Sequence, residues 1–172
     1  LRPDPAGRGA MSAAARATAP PRATIAACLV LCVVAGFWLR ARNLGALGLV
    51  GDEGFQAHAA QGILAYGVPN VPSGRPYVRA LPFSYAEAAV ATIAGMPEYS
   101  LRFPAAVFGT AAIVAAYLLS AAVFGWRVGL LTAALMALSS WEIEMSRYAR
   151  FYTAFQCCYL LALLWFYRGF LQ

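Results

Sequence analysis

The chain has 172 residues, of which 62% are hydrophobic and only 12% are charged, about half the charged share of an ordinary soluble domain. All 13 basic residues are arginine, and with seven acids they leave a net charge of +6. A soluble nucleic-acid-binding protein would set such arginines among polar residues, whereas here they punctuate long apolar runs. The composition excludes that class and predicts an all-α integral membrane protein.

The first 21 residues are rich in Ala, Pro and Arg and show no apolar periodicity, which predicts a disordered cytoplasmic tail. Met11 is a candidate start of translation within this tail. At the other end the chain stops directly after an apolar segment. We therefore expect the chain to be the amino-terminal part of a larger multi-pass protein.

Four apolar stretches are long enough to predict membrane-spanning helices, which need roughly 20 mainly apolar residues. Arginines bound the first and last stretches, and the third meets two glutamates near its far end. The predicted spans cover residues 22–42, 102–125, 128–146 and 151–171.

The segment 43–101, between the first two spans, is predicted to be a long outer loop. Within it, residues 54–65 have the pattern of a short amphipathic helix, and a Gly/Pro-rich loop follows. Residues 82–96 are apolar but short and carry Glu87, which favours a helix at the interface over a span.

Six of the seven acids and seven of the 13 arginines fall on the side of the predicted bundle that holds this loop. The other side holds six arginines, so the positive-inside rule alone does not fix the orientation. The tail favours the cytoplasm for its own side. The clustered charges then predict a polar site at the outer face.

An acidic pair, Asp52 and Glu53, follows the first span and opens the amphipathic helix. One interpretation is structural: Asp52 caps the helix, and Glu53 suits the helix dipole in the first turn. The other is functional, since partial desolvation and a neighbouring like charge make a carboxylate a better base. The pattern alone leaves both open.

The stretch 141–152 carries two glutamates and two arginines among aromatic residues. The spacing of Arg147 and Arg150 predicts that they share one helical face, with Glu144 beside Arg147. Such a stretch can be an interfacial belt of aromatic residues and snorkelling arginines. It can also be a phosphate site, because a guanidinium binds two oxygens at once. Arg79, in the turn-rich loop 73–79, is a weaker candidate of the same kind.

His58 lies on the amphipathic helix, where a polar surface histidine is a simpler interpretation than a metal ligand without further ligands at helical spacing. Two pairs of cysteines lie in the first and last spans, and they are interpreted as small apolar side chains rather than as a metal site or a disulfide. The pairs are Cys28 with Cys32 and Cys157 with Cys158.

Several short segments occur in a characteristic order along residues 23–171. They are Gly51-Asp52-Glu53, the helix end at 62–69, Gly74-Arg75-Pro76-Tyr77, and the segments 98–104, 124–130 and 146–152. This ordered set resembles the amino-terminal part of the polyprenyl-phosphate-sugar-dependent glycosyltransferases of the membrane C superfamily. The nearest likeness is to the protein O-mannosyltransferases and the lipid A aminoarabinose transferases.

The resemblance implies transfer of a sugar, with inversion, from a polyprenyl-phosphate-linked donor to an acceptor hydroxyl or phosphate. The active site would face the outside or periplasm, in the cell's inner membrane. Asp52 matches the position of the family's catalytic carboxylate, and Glu53 would support it. Arg147 and Arg150, with Arg79, are candidates for binding the donor phosphate.

Glu144, Tyr148 and His58 are expected to support this site. The aminoarabinose transferases carry an acid where Tyr152 falls, so a divalent metal is left open. The expected partners are the lipid-linked donor, a lipid or protein acceptor and the membrane, with no nucleic acid. The alternatives are a piece of a transporter, or a non-catalytic membrane interaction subunit in which Asp52 is only a helix cap.

Overall fold

The computed structural model of the chain describes residues 21–170, and within them the regular structure is helical apart from one isolated bridge between Asn70 and Pro76. The all-α prediction is therefore confirmed for this part of the chain. The predicted tail lies outside the described residues, except for Pro21. In chain order the helices are α1 (Arg22–Ala41), α2 (Glu53–Tyr66), α3 (Leu81–Ala94), α4 (Glu98–Phe124), α5 (Trp126–Leu138), α6 (Ser140–Met145) and α7 (Tyr152–Phe170).

Two of these helices, α1 with 20 residues and α4 with 27, are long and apolar enough to cross a membrane. They match the predicted spans 22–42 and 102–125, although α4 begins four residues early, just after Pro97. Helix α5 has only 13 residues, about 20 Å of helix against a hydrocarbon core of about 30 Å. Two apolar helices favour an association with a membrane, and the count of four spans stays a prediction.

The predicted third span, 128–146, is not one continuous helix. Helix α5 ends at Leu138, and Ser139 adopts an extended backbone before α6 begins. The Ser139 side chain accepts a hydrogen bond from the N–H of Glu142 and so caps α6. The end of α5 is bound by Arg40, whose guanidinium donates to the carbonyl oxygen of Ala137. The break is stable because both new helix ends have hydrogen-bond partners.

Helix α4 lies at the centre and packs against α1, α3, α5 and α7. Its buried face consists mainly of small residues, while the larger apolar side chains of the outer helices point away from the bundle. Small residues inside and large apolar residues outside are the arrangement expected when lipid covers the exterior. Buried residues of α4 include Ala105, Ala106, Ala112 and Ala116, and exposed residues elsewhere include Leu31, Trp38, Leu135, Phe155 and Trp165.

One of these small residues positions the segment that carries the candidate arginines. A Cβ atom at Gly109 of α4 would overlap with the side chain of Ser146. Glycine therefore lets the segment between α6 and α7 approach α4 closely. Arg40 fixes the same segment from the other side, since its Nε donates to Ser146 Oγ at 3.1 Å.

The predicted helices at 54–65 and 82–96 are present as α2 and α3, which pack against each other. The loop after α2 folds back onto it at Gly62, where a Cβ atom would lie 2.6 Å from the backbone nitrogen of Asn70. On the buried faces, Gln56 of α2 donates to Ser84 of α3 at 2.8 Å. The pair of helices thus places polar residues in its interior.

Candidate functional site

A buried ion pair between Glu53 of α2 and Arg102 of α4 ties the segment 43–101 to the helical bundle. It is bidentate, with Nε–Oε1 and Nη2–Oε2 distances of 2.9 and 2.7 Å. The remaining guanidinium N–H groups donate to the carbonyl oxygens of Leu44, Leu47 and Gly48. All five N–H groups of Arg102 therefore have acceptors, and the loop after α1 is fixed by them.

Glu53 accepts two further hydrogen bonds, from the N–H groups of Val50 and Ala149 at 2.9 and 2.7 Å. Burial alone would raise the pKa of Glu53, but the bonds from Arg102 and from these two N–H groups hold it below its ordinary value. Four donors occupy a carboxylate that is only 1% exposed. This geometry favours a positioning role for Glu53, in support of Asp52, over a role as the base.

Asp52, by contrast, directs its carboxylate outward. The side chain is 63% exposed, and its Oδ2 lies 3.1 Å from Nη2 of Arg150. Arg150 also donates to the backbone carbonyl of Asp52, although the two residues are 98 positions apart in the chain. The Asp52 side chain makes no capping hydrogen bond to α2, which argues against the purely structural interpretation.

Arg150 is buried and still has N–H groups to spare. It is only 5% exposed, and its guanidinium lies 5.3 and 5.4 Å from the ring centres of Phe151 and Tyr152. Nη2 also approaches the Tyr152 hydroxyl at 3.4 Å, whereas Nε is buried without a partner. A preorganised cation beside an exposed carboxylate can bind an anionic group.

A cavity of about 140 Å³ opens over this ion pair. Its lining residues are Val50, Asp52, Glu53, Met145, Tyr148, Arg150 and Tyr152. A larger neighbouring cavity, of about 450 Å³, shares Val50, Glu53 and Tyr148 with it. We call the smaller one the acid cavity, because Asp52 lines it. We call the larger one the apolar cavity, because leucine and isoleucine side chains line part of it.

Arg147 and Glu144 line the apolar cavity rather than the acid cavity. The predicted helical face shared by Arg147 and Arg150 is wrong, because α6 ends at Met145 and residues 146–151 are not helical. In this segment the N–H of Ala149 is bound to Glu53 instead of continuing a helix. The two guanidiniums therefore lie in adjacent cavities, with Tyr148 at the boundary.

Tyr77 and Glu87 are part of the same region, although no role was predicted for either. Burial raises the pKa of Tyr77, and the charges of Arg150, Arg79, Asp52 and Glu87 all act on it. Arg79 and Arg150 thus both act on Tyr77, although neither Tyr77 nor Arg79 lines the acid cavity. The sequence gives little indication that Glu87 belongs to a site, because it is one acid in a short apolar helix. Its burial depends on how α3 packs against α2, which the sequence does not show.

His58 does not join the acid cavity. It is exposed on α2 and lines a separate cavity with Gln61, Tyr66 and Asn70. Among the residues that the structure describes, no three His, Cys, Asp or Glu side chains lie together in a way that could hold a metal ion. The four cysteines are free thiols.

Comparison of the chain with models of protein families, with curated proteins and with solved structures found no match. The structure brings Asp52, Tyr148 and Arg150 into one cavity, with Arg147 and Glu144 in the cavity next to it.

Proposed function

We propose that this chain forms the polar wall of the active site in a membrane glycosyltransferase. Such an enzyme would transfer a sugar from a polyprenyl-phosphate-linked donor to an acceptor hydroxyl or phosphate at the outer face of the membrane. The observation that carries the proposal is the meeting of the Asp52 carboxylate and the Arg150 guanidinium in one cavity. One group can accept a proton, and the other can neutralise a phosphate.

In the proposed reaction, an acceptor hydroxyl gives its proton to Asp52 while its oxygen attacks the anomeric carbon of the donor sugar. The bond from that carbon to the phosphate oxygen breaks, and the electron pair leaves with the polyprenyl phosphate. Attack from the side opposite the leaving group inverts the configuration. The leaving phosphate is a stable anion, so it needs a cation more than it needs a proton.

As the donor enters, its phosphate would replace the Asp52 carboxylate as the partner of Arg150. The Asp52 carboxylate is then free to act as the base. Arg147 would bind the phosphate from the apolar cavity, where Leu44, Leu47 and Ile143 offer contacts to the first units of the polyprenyl chain. Arg79 would add positive charge from the loop above the site.

Replacing Arg150 by Gln is expected to weaken the binding of undecaprenyl phosphate, the leaving group of such donors, by about 10- to 100-fold. The reason is that hydrogen bonds to charged groups contribute about 1.5–3 kcal/mol. Binding is measured on the purified full-length protein in lipid nanodiscs, with neutral undecaprenol as the control for simple partitioning.

The matched control is Arg42→Gln, because Arg42 is an exposed arginine that stacks on Trp38. It should leave the binding of undecaprenyl phosphate unchanged. If the wild-type protein bound the alcohol as tightly as the phosphate, the proposed phosphate site would be refuted. Unchanged binding by Arg150→Gln would remove Arg150 from the site.

A further inference from the structure

Polar atoms without hydrogen-bond partners are concentrated beside the acid cavity. Of six such buried side-chain atoms among the described residues, five are both carboxylate oxygens of Glu87, Oε1 of Gln56, the hydroxyl of Tyr77 and Nε of Arg150, and the sixth is Oε2 of Glu142 on α6. The four side chains that carry the first five atoms come from α3, from α2, from the loop before α3 and from the segment before α7. Because folded proteins leave few buried polar groups unpaired, such a cluster needs an explanation.

Glu87 is the most unusual member of this cluster. Its side chain is completely buried and pairs with no cation, and the polar side chain that acts on it, Gln56, donates to Ser84. A charged carboxylate that is fully buried without a paired cation is very costly, so the side chain is held as the neutral acid. Burial raises the pKa of Glu87 to about 9, with nearby Glu53 adding to the effect and Gln56 and Arg150 opposing it.

Among the charged groups around Glu87, Arg150 is the cation that an ionised Glu87 would attract. On α2, Glu53 is an acid that is already bound to Arg102, and on α4 the guanidinium of Arg102 has no free N–H group. The other charged residue of α4 is Glu98. Glu87 is the only charged residue of α3.

The remaining groups face the cluster from the loops. Tyr77 and Arg79 belong to the loop before α3, and Asp52 immediately precedes α2. Asp52 is exposed and already paired with Nη2 of Arg150. Nε of Arg150 is buried without a partner, and Ala88 and Ala149, which follow Glu87 and precede Arg150 in the chain, pack in one buried cluster. A second carboxylate can therefore find a donor in Nε.

We propose that Glu87 is a positioning residue that sets how much positive charge Arg150 presents to an anion beside Asp52. While Glu87 is a neutral acid, the full positive charge of the Arg150 guanidinium acts on the anion. Once Glu87 is ionised, its negative charge offsets part of that positive charge. This inference rests on the anion site of the proposed function, but not on the identity of the sugar or the acceptor. Two carboxyl groups compete for one guanidinium, and the buried one, Glu87, is uncharged near neutral pH.

The test uses sulfate, which stays a dianion over the whole range, as the probe for the full-length protein in detergent. From about pH 7 to about pH 10, the wild-type affinity for sulfate is expected to fall roughly tenfold, because a second carboxylate then acts on Arg150. In Glu87→Gln, which keeps the shape of the neutral acid, the affinity should stay nearly constant. Glu98→Gln is the matched control and should retain the alkaline loss.

A second measurement reads the state of Glu87 without any ligand. The pKa of Glu87 is higher in the folded protein than in the unfolded chain, so the folded state binds an extra proton between about pH 4.5 and about pH 9. Wild-type stability should therefore fall across that window relative to Glu87→Gln, with no further divergence above it. Melting temperatures at a series of pH values give the comparison.

Parallel stability curves for the two proteins would overturn the proposal, because Glu87 would then be charged or without influence. The same conclusion follows if sulfate fails to bind near neutral pH, or if Glu87→Gln shows the same alkaline loss as the wild type. If both measurements succeed but no sugar transfer is found, the proposed function fails and the role of Glu87 stands.

Discussion

Asp52→Asn is expected to lower the rate of sugar transfer by about 10²- to 10⁴-fold, the usual contribution of a general base. Asparagine has the shape of aspartate but cannot take the proton of the acceptor hydroxyl. The side chain is largely exposed, and the adjacent Glu53–Arg102 pair does not depend on it. The melting temperature should therefore stay close to the wild-type value. The rate is measured as release of polyprenyl phosphate by the purified full-length protein under single-turnover conditions.

A binding measurement separates loss of the base from loss of the donor site. Because Asp52→Asn frees Arg150 from its carboxylate partner, the variant should bind undecaprenyl phosphate at least as tightly as the wild type. Glu98→Gln makes the same chemical change outside the acid cavity and should turn over normally. Full turnover by Asp52→Asn would remove Asp52 from the mechanism.

Arg102→Met should destabilise the protein by about 3–5 kcal/mol, the usual cost of leaving one partner of a buried ion pair uncompensated. Glu53 would remain buried as an unpaired charge, and three carbonyl groups of the loop after α1 would lose their donors. The free energy of unfolding is measured in detergent by denaturant titration. Arg42→Met, at an exposed position, is the matched control and should have little effect.

The effect of Arg102→Met should also depend on pH. The pKa of Glu53 is lower in the folded protein than in the unfolded chain, so its stabilising effect is present above the unfolded value and is lost as pH falls through the folded value. The difference between wild type and variant should therefore shrink in acid. A variant within about 1 kcal/mol of the wild type at neutral pH would show that the pair does not hold the loop.

The apolar helices could be predicted from the sequence, but the partners of the arginines at their ends could not. Arg40 and Arg102 flank uncharged runs and are two of the seven arginines assigned to the outer side, yet both are buried in the structure. The Arg40 side chain bonds to groups 96 to 106 residues away. Sequence shows where a charge occurs and not what it touches, which explains why counting outer and inner arginines did not fix the orientation.

The break after α5 could have been predicted, because Ser139 and Glu142 have the spacing of a capping box. The uncharged run from 128 to 141 favoured a single continuous span instead. The meeting of Asp52 with Arg150 has no local signal of this kind, since it depends on the turn at 146–151 and on Glu53 binding the N–H of Ala149. The order of short segments pointed to both residues, but not to the separation of Arg147 from Arg150.

The decisive experiment asks whether positions 52 and 150 are neighbours in the folded protein. Asp52→Cys and Arg150→Cys are combined in a background in which the four native cysteines are replaced by serine, and a short bifunctional thiol reagent is added. We expect efficient cross-linking of this pair by mass spectrometry, and none for Asp52→Cys with Arg127→Cys, which lies beyond the far end of α4. If the first pair fails to cross-link in a protein that melts like the parent, Asp52 and Arg150 do not share a cavity and the proposed active site is wrong.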